Sequence, residues 1–182
     1  GVPIGYSIAL ATLVVLAGFT NTPLAMITQN CVSGVNSFSL MAIPFFILAG
    51  NLMSTGGVAK RIVNFADTCI GWITGGLSLV TTAACMFFAA ISGSAMATCS
   101  AVGAIMIPEM EKKGYPRPFS AALAASAGSI GVIIPPSVPF VIYGVVTGTS
   151  IGDMFIAGFL PGIMMGIAIM IACVVMSKKY GY

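Results

Sequence analysis

Residues Ala90–Ala101 read AISGSAMATCSA, and Gly128–Pro139 read GSIGVIIPPSVP. Both lie in strongly apolar parts of the chain, yet both interrupt it with small hydroxyl residues, glycine or proline, and neither contains a charge. Helix is the natural state of a backbone in lipid, because it satisfies its own polar groups. A chain that abandons helix twice within apolar sequence needs a physical reason, and that reason decides the fold.

The surroundings of the two breaks identify the solvent. Of 182 residues, 58% are hydrophobic and 6% charged, and the mean hydropathy is +1.08. A soluble domain carries about 25% charged residues. Water would not solvate so apolar a surface, and the composition predicts an integral membrane protein. The net charge of +3 comes from very few groups, so it reports topology and excludes a nucleic-acid partner. The opening GVPIGYSIAL shows no basic region or cleavage site of a signal peptide. It reads as internal to a longer protein, as does the closing SKKYGY. The five cysteines form no C-x-x-C pair and there is no His, which argues against a zinc site or a disulfide framework.

Working outward, Gly76–Pro108 spans about 33 residues, too long for one upright helix and too short for two spans of about 20 each. The Ser-Gly-Ser at its centre predicts two half-length helices meeting at Ser92–Ser94, a re-entrant hairpin. The second break falls within Arg117–Thr147. Pro135, Pro136 and Pro139 lack backbone N–H groups and clash with the preceding turn, so this segment predicts a helix unwound near mid-membrane. Upstream, Ile4–Gly18 is apolar but short, and Asn21–Ser37 is mixed, a short helix near the surface. Phe38–Met53 reads as a span with Pro44 as a candidate kink. Gly57–Ile73 is amphipathic, with Val58, Ile62, Phe65, Cys69 and Ile73 on one face. Lys60, Arg61, Asn64, Asp67 and Thr68 form the other, and Trp72 is a headgroup anchor. Ile151–Met176 is the last span.

Charge supports the hairpin. Basic residues occur only at Lys60/Arg61, Lys112/Lys113/Arg117 and Lys178/Lys179. A single crossing by Gly76–Pro108 would put the first two clusters on opposite sides. A hairpin places all three on the cytoplasmic side, as the positive-inside rule requires. Two complete crossings would do the same, so length is what favours the hairpin.

Irregular backbone at membrane depth survives only inside protein or against a water-filled cavity. There, carbonyls and hydroxyls can hold a bare cation, and half-helix N-termini can face an anion. The two breaks therefore read as walls of an ion and substrate site. Proton relays use ionisable groups within the membrane, but Asp67, Glu109, Glu111 and Asp153 all fall at predicted interfaces. Neutral oxygens from Ser92, Ser94 and the backbone favour sodium instead. An enzyme is not predicted: Ser92, Ser94 and Ser137 have no general base, and no G-x-S-x-G elbow occurs. The competing reading is an intramembrane scaffold or channel-like subunit whose small residues only permit close packing.

FFAAISGSAMATCSAVGAIMIPEMEKKGYPRPFSAAL and IGVIIPPSVPFVIYGVVTGTSIGDMFIAGFLPGIMMG resemble the large membrane subunit of TRAP transporters, the tripartite ATP-independent periplasmic transporters of the DctM-like family. GVPIGYSIAL and AIPFFILAGNLMSTGGVAKRIVNFA resemble it too, so the likeness covers essentially the whole chain and corresponds to the N-terminal portion of such a subunit. The resemblance implies a sodium-driven secondary transporter of the bacterial or archaeal inner membrane. Its substrate would be an organic acid, such as a C4-dicarboxylate or sialic acid. A periplasmic substrate-binding protein would deliver it, and a small four-helix membrane subunit would accompany the permease. The implied fold is an all-α polytopic bundle, one half of an inverted-repeat, elevator-type transporter. Carried onto this sequence, 1–56 are scaffold-type helices and 57–75 an interfacial arm. Residues 76–149 are half of the transport domain (hairpin 76–108, broken helix 117–149), and 150–182 a transmembrane helix with its cytoplasmic end. Sodium would be held largely by backbone carbonyls of Ser92, Gly93, Ser94, Gly131, Ile134 and Pro136. The substrate would meet Ser94, Thr98, Pro135 and Ser137.

Overall fold

The computed structural model describes residues 2–19, 23, 25–73 and 75–181. The chain forms two compact units, Gly1–Leu40 and Met41–Tyr182. The first contains α1 (Ile4–Phe19) and α2 (Ala25–Val35), neither of which buries a residue. α1 is apolar all round, as a helix immersed in lipid can be. α2 is the short helix expected within Asn21–Ser37; Asn21, Thr22 and Leu24 lie outside the described residues.

The second unit begins with α3 (Ala42–Thr55). It continues directly from the 3-10 turn Phe38–Met41, and Pro44, the candidate kink, falls just after 3-10 gives way to α-helix. α4 (Val58–Ile70) follows a left-handed Gly57. Its packed stripe is offset from the expected one: Ala59, Val63 and Ala66 are buried, whereas Phe65 is 58% exposed and Cys69 is also exposed. The reason is size. In lipid, helices gain from close packing more than from excluding water, and the two alanines let α4 approach its neighbour. Phe65 turns outward and meets Phe87 edge-on, with ring centroids 5.8 Å apart.

α5 (Gly76–Ser92) and α6 (Ala95–Lys112) form a helical hairpin. Val80, Ala84, Cys85 and Phe88 of α5 share a core with Val102 and Met106 of α6. α6 runs through Pro108 to Lys112. The buried hydroxyls Ser78, Thr81 and Thr82 each bond a carbonyl of their own chain three or four residues back, at 2.7, 2.7 and 3.0 Å, so they demand no other partner.

α7 (Arg117–Gly128) ends in a 3-10 turn, Ser129–Val132, and helix resumes only at α8 (Val138–Thr147). α9 (Ile151–Tyr180) is 30 residues long, about 45 Å at the helical rise. Among the described residues, Phe38–Thr55 and Ile151–Tyr180 are long and apolar enough to cross a membrane. Leu79, Met110, Tyr115, Leu123 and Cys173 tie the base of the hairpin to α7 and α9, while Ala89, Ile130 and Ile134 join the hairpin near its tip to the broken segment.

Candidate functional site

The two interruptions meet. α5 closes at Gly93, whose φ of 62° lies in the left-handed region and whose N–H donates to the Ala89 carbonyl. Ser94 caps α6, its hydroxyl accepting from Ala97 N–H at 3.4 Å. Ser137 caps α8 in the same way, accepting from Phe140 N–H at 3.4 Å. The Gly93 carbonyl accepts the Val138 N–H at 3.3 Å, so hairpin tip and helix break share a backbone hydrogen bond. A Cβ on Gly93 would stand 2.5 Å from the Pro136 carbonyl oxygen, and one on Gly131 would stand 2.7 Å from Thr98 Oγ1 and 2.8 Å from the Ser94 carbonyl oxygen. Only glycine permits these approaches.

A hydroxyl chain runs through the contact. Thr98 Oγ1 donates to the Ser94 carbonyl at 2.8 Å, leaving its lone pairs to accept from Ser92 Oγ at 2.9 Å. Ser92, Thr98 and Ser137 are buried. The Ser94 carbonyl also accepts the Thr98 N–H at 3.0 Å. It is thus already engaged, and of the expected cation-holding carbonyls it has the least free capacity.

The prolines explain which carbonyls are left over. In a continuous helix the Gly131, Val132 and Pro135 carbonyls would accept from residues 135, 136 and 139. All three of those are proline and have no N–H to give. Ser137 Oγ takes over at Val132, donating at 2.6 Å. Among the described residues no backbone donor reaches the Gly131 carbonyl. The site therefore brings together two helix N-termini, buried hydroxyls and carbonyls deprived of their donors. Such a set can face a hard cation on its carbonyl side and an anion at its helix N-termini.

Sequence reasoning singled out Ser92, Gly93, Ser94, Thr98, Gly131, Ile134, Pro135, Pro136 and Ser137, and the structure gathers them in the two abutting breaks. It adds residues that reasoning missed. Gly50 of α3 lies against the tip, where an added Cβ would be 3.5 Å from Ser92 Cβ. Gly158 and Gly162 of α9 back the break from behind. A Cβ on Gly158 would reach 2.7 Å from the Ile133 carbonyl oxygen, and one on Gly162 would reach 2.5 Å from Ile134 Cγ1. The signal was present as Gly158-x-x-x-Gly162-x-x-x-Gly166, a spacing that brings membrane helices close.

The chain is similar in sequence to known transporter permeases. The isethionate TRAP transporter permease protein DctMQ of Oleidesulfovibrio alaskensis is 47% identical over 182 residues, which is 100% of this chain and 29% of that protein. The C4-dicarboxylate TRAP transporter large permease protein DctM of Vibrio cholerae is 43% identical over 98% of this chain and 40% of its own length. The sialic acid TRAP transporter large permease protein SiaM of the same species is 41% identical over 100% and 43%. The chain thus spans less than half the length of these relatives, aligned to their N-terminal portion. Residues 1–182 match the family described as "Tripartite ATP-independent periplasmic transporter, DctM component". With two abutting helix breaks inside an apolar, all-helical unit and a family match over every residue, the chain belongs to the DctM component family of the tripartite ATP-independent periplasmic transporters.

Proposed function

We propose that this chain forms part of the large membrane subunit of a sodium-coupled transporter for an organic acid anion. The observation that carries the reading is the meeting of the two breaks: the N-termini of α6 and α8 converge beside carbonyls that prolines have robbed of their donors. Sodium is a hard cation suited to neutral oxygens. It would draw on the Gly131 carbonyl, on carbonyls of Ser92, Gly93, Ile134 and Pro136, and on nearby hydroxyls. The Ser94 carbonyl would contribute least, for the reason given above. Bound sodium would supply positive charge beside an anionic solute.

The solute's carboxylate or sulfonate would be met by helix N-termini at Ser94 and Ser137, with Thr98 and Pro135 in the wall. No Arg or Lys belongs to either break, so helix dipoles and hydroxyls are this chain's contribution to anion binding. The relatives' names speak of isethionate, C4-dicarboxylate and sialic acid, all organic acids. In this reading the α5–α6 hairpin is re-entrant and the break is at mid-membrane. The unit moves as an elevator in the inner membrane, with α4 as its arm, a periplasmic binding protein as donor and a small membrane subunit as companion.

The test is uptake in proteoliposomes holding the intact permease, its small partner and its binding protein. A sodium gradient and a proton gradient are compared at equal membrane potential. Accumulation driven by sodium alone supports the reading, and accumulation driven only by protons overturns the neutral-oxygen argument. Equilibration without accumulation identifies the scaffold or channel-like alternative, since neither can concentrate a solute.

A further inference from the structure

A cavity of about 810 Å³ lies at the base of the hairpin, between α4, the start of α5 and the end of α6. It is a helix length, about 25 Å, from the site at the tip, and nothing in the transport reading uses it. Its rim carries both signs of charge: Lys60, Asn64 and Asp67 from α4, and Glu109 and Lys113 from the end of α6. Glu109 is already neutralised by Lys112 at 2.8 Å, and the hydrogen bond and charge of that ammonium hold its carboxyl below the usual range. Lys60, Lys113 and Asp67 enter no salt bridge among the described residues. Lys60 and Lys113 act on Glu109 only through their charge, so the cavity offers two ammonium groups and one carboxylate, Asp67, that make no direct ion pair among the described residues.

The surface beside this opening is apolar. Trp72 is 81% exposed, with its indole N–H anchored to the Cys69 carbonyl at 3.1 Å. Ile73, the next residue, is exposed too. A charged recess edged by the exposed side chains of Trp72 and Ile73 matches an amphiphile whose polar head enters and whose chains stay outside. We propose that this cavity seats a zwitterionic phospholipid headgroup of the phosphoethanolamine type. Its phosphate lies on Lys60 and Lys113, its ammonium on Asp67, and its glycerol esters lie level with Trp72. Asp67 disfavours a purely anionic head, and the lysines disfavour an uncharged one.

The test is native mass spectrometry of the intact permease in detergent, titrated separately with phosphatidylethanolamine, phosphatidylglycerol and inorganic phosphate. The expected result is one retained phosphatidylethanolamine. Lys60→Gln/Lys113→Gln weakens its binding about tenfold or more, while Lys178→Gln/Lys179→Gln, at the same end but outside the cavity, leaves it unchanged. Asp67→Asn shifts preference toward phosphatidylglycerol. Lys113→Gln alone, in an exposed turn, keeps the test open should the double variant fail to insert, with a loss of about fivefold. Equal lipid retention by wild type and the lysine variants overturns the proposal. Displacement of the lipid by inorganic phosphate at equal concentration also overturns it, identifying a free-anion site. Neither result bears on sodium-driven uptake, so this inference and the transport reading fail separately.

Discussion

At the residue scale, Thr98 ties the site together, because one hydroxyl links the Ser92 hydroxyl to the Ser94 carbonyl at short distances. Thr98→Val keeps the shape and removes the link, leaving buried Ser92 Oγ with only its long contacts to the Ser94 carbonyl at 3.4 Å and the Ser94 N–H at 3.5 Å. An unsatisfied buried hydroxyl costs about 1–3 kcal/mol. The expected outcome is a lower melting temperature in detergent and, under the proposed sodium coupling, a higher sodium requirement for uptake, with Thr98→Ser restoring both. Gly93→Ala tests the tip by conformation instead. The left-handed φ of 62° costs a residue with a Cβ about 1–2 kcal/mol, and the new methyl would press on the Pro136 carbonyl. Uptake should fall more than tenfold while membrane insertion measured by immunoblot persists. Wild-type uptake in that variant would remove Gly93 from the site. These positions were legible in sequence because Ser-Gly-Ser and three clustered prolines are local violations of helix chemistry. The exhaustion of the Ser94 carbonyl was not legible, since it depends on where Thr98 and Ser92 point.

At the element scale, α9 acts as the seat of the broken helix. Two of its glycines face the break one helical turn apart, Gly158 against Ile133 and Phe140 and Gly162 against Ile134, and Gly166 a turn further on meets Met86 of α5. A side chain on this ladder would push the break away from the hairpin tip. Overpacking of this kind costs about 1–3 kcal/mol. Gly162→Val should therefore depress both thermal stability and uptake, whereas Gly152→Val, which meets only Ser150 Oγ at 3.8 Å, should spare both. Parallel thermal-unfolding and uptake assays decide it. α4 shows the complementary lesson. Its amphipathic pattern was plain, but which stripe packs was not, because both Phe65 and Ala66 satisfy a hydrophobic count and only Ala66 fits the closest approach.

At the scale of the whole second unit, charge is segregated along the helices. Lys60 and Lys113 line one cavity together with Gly75 and Tyr115. Ser177, next to Lys178, packs against Gly75, and Tyr115 clusters with Cys173. The three basic clusters thus share one end, an arrangement that a re-entrant hairpin and two complete crossings would both give. Asp153, in the first turn of α9, lies a long helix away from Lys178. With native cysteines replaced, Lys60→Cys, Lys113→Cys and Lys179→Cys should all react with an impermeant maleimide from one face of the membrane, and Asp153→Cys from the other. Labelling of Lys60→Cys and Lys113→Cys from opposite faces would refute a re-entrant hairpin.

What the sequence by itself determined is what composition and local backbone chemistry control. Lipid as solvent follows from the scarcity of charge. The hairpin tip at Ser92–Ser94 and the break at Pro135–Pro139 follow from glycine and proline, whose effects act within a turn of chain. The family was legible from the same motifs. What only the tertiary structure decided depends on residues far apart in sequence. That Gly131 abuts Thr98, that Gly158 and Gly162 back the break, that α4 packs on alanines, and that a charged cavity forms at the hairpin base all depend on how separate helices settle against each other. Close packing is set by the shapes on both sides of a contact, and one strand of sequence displays only one side at a time.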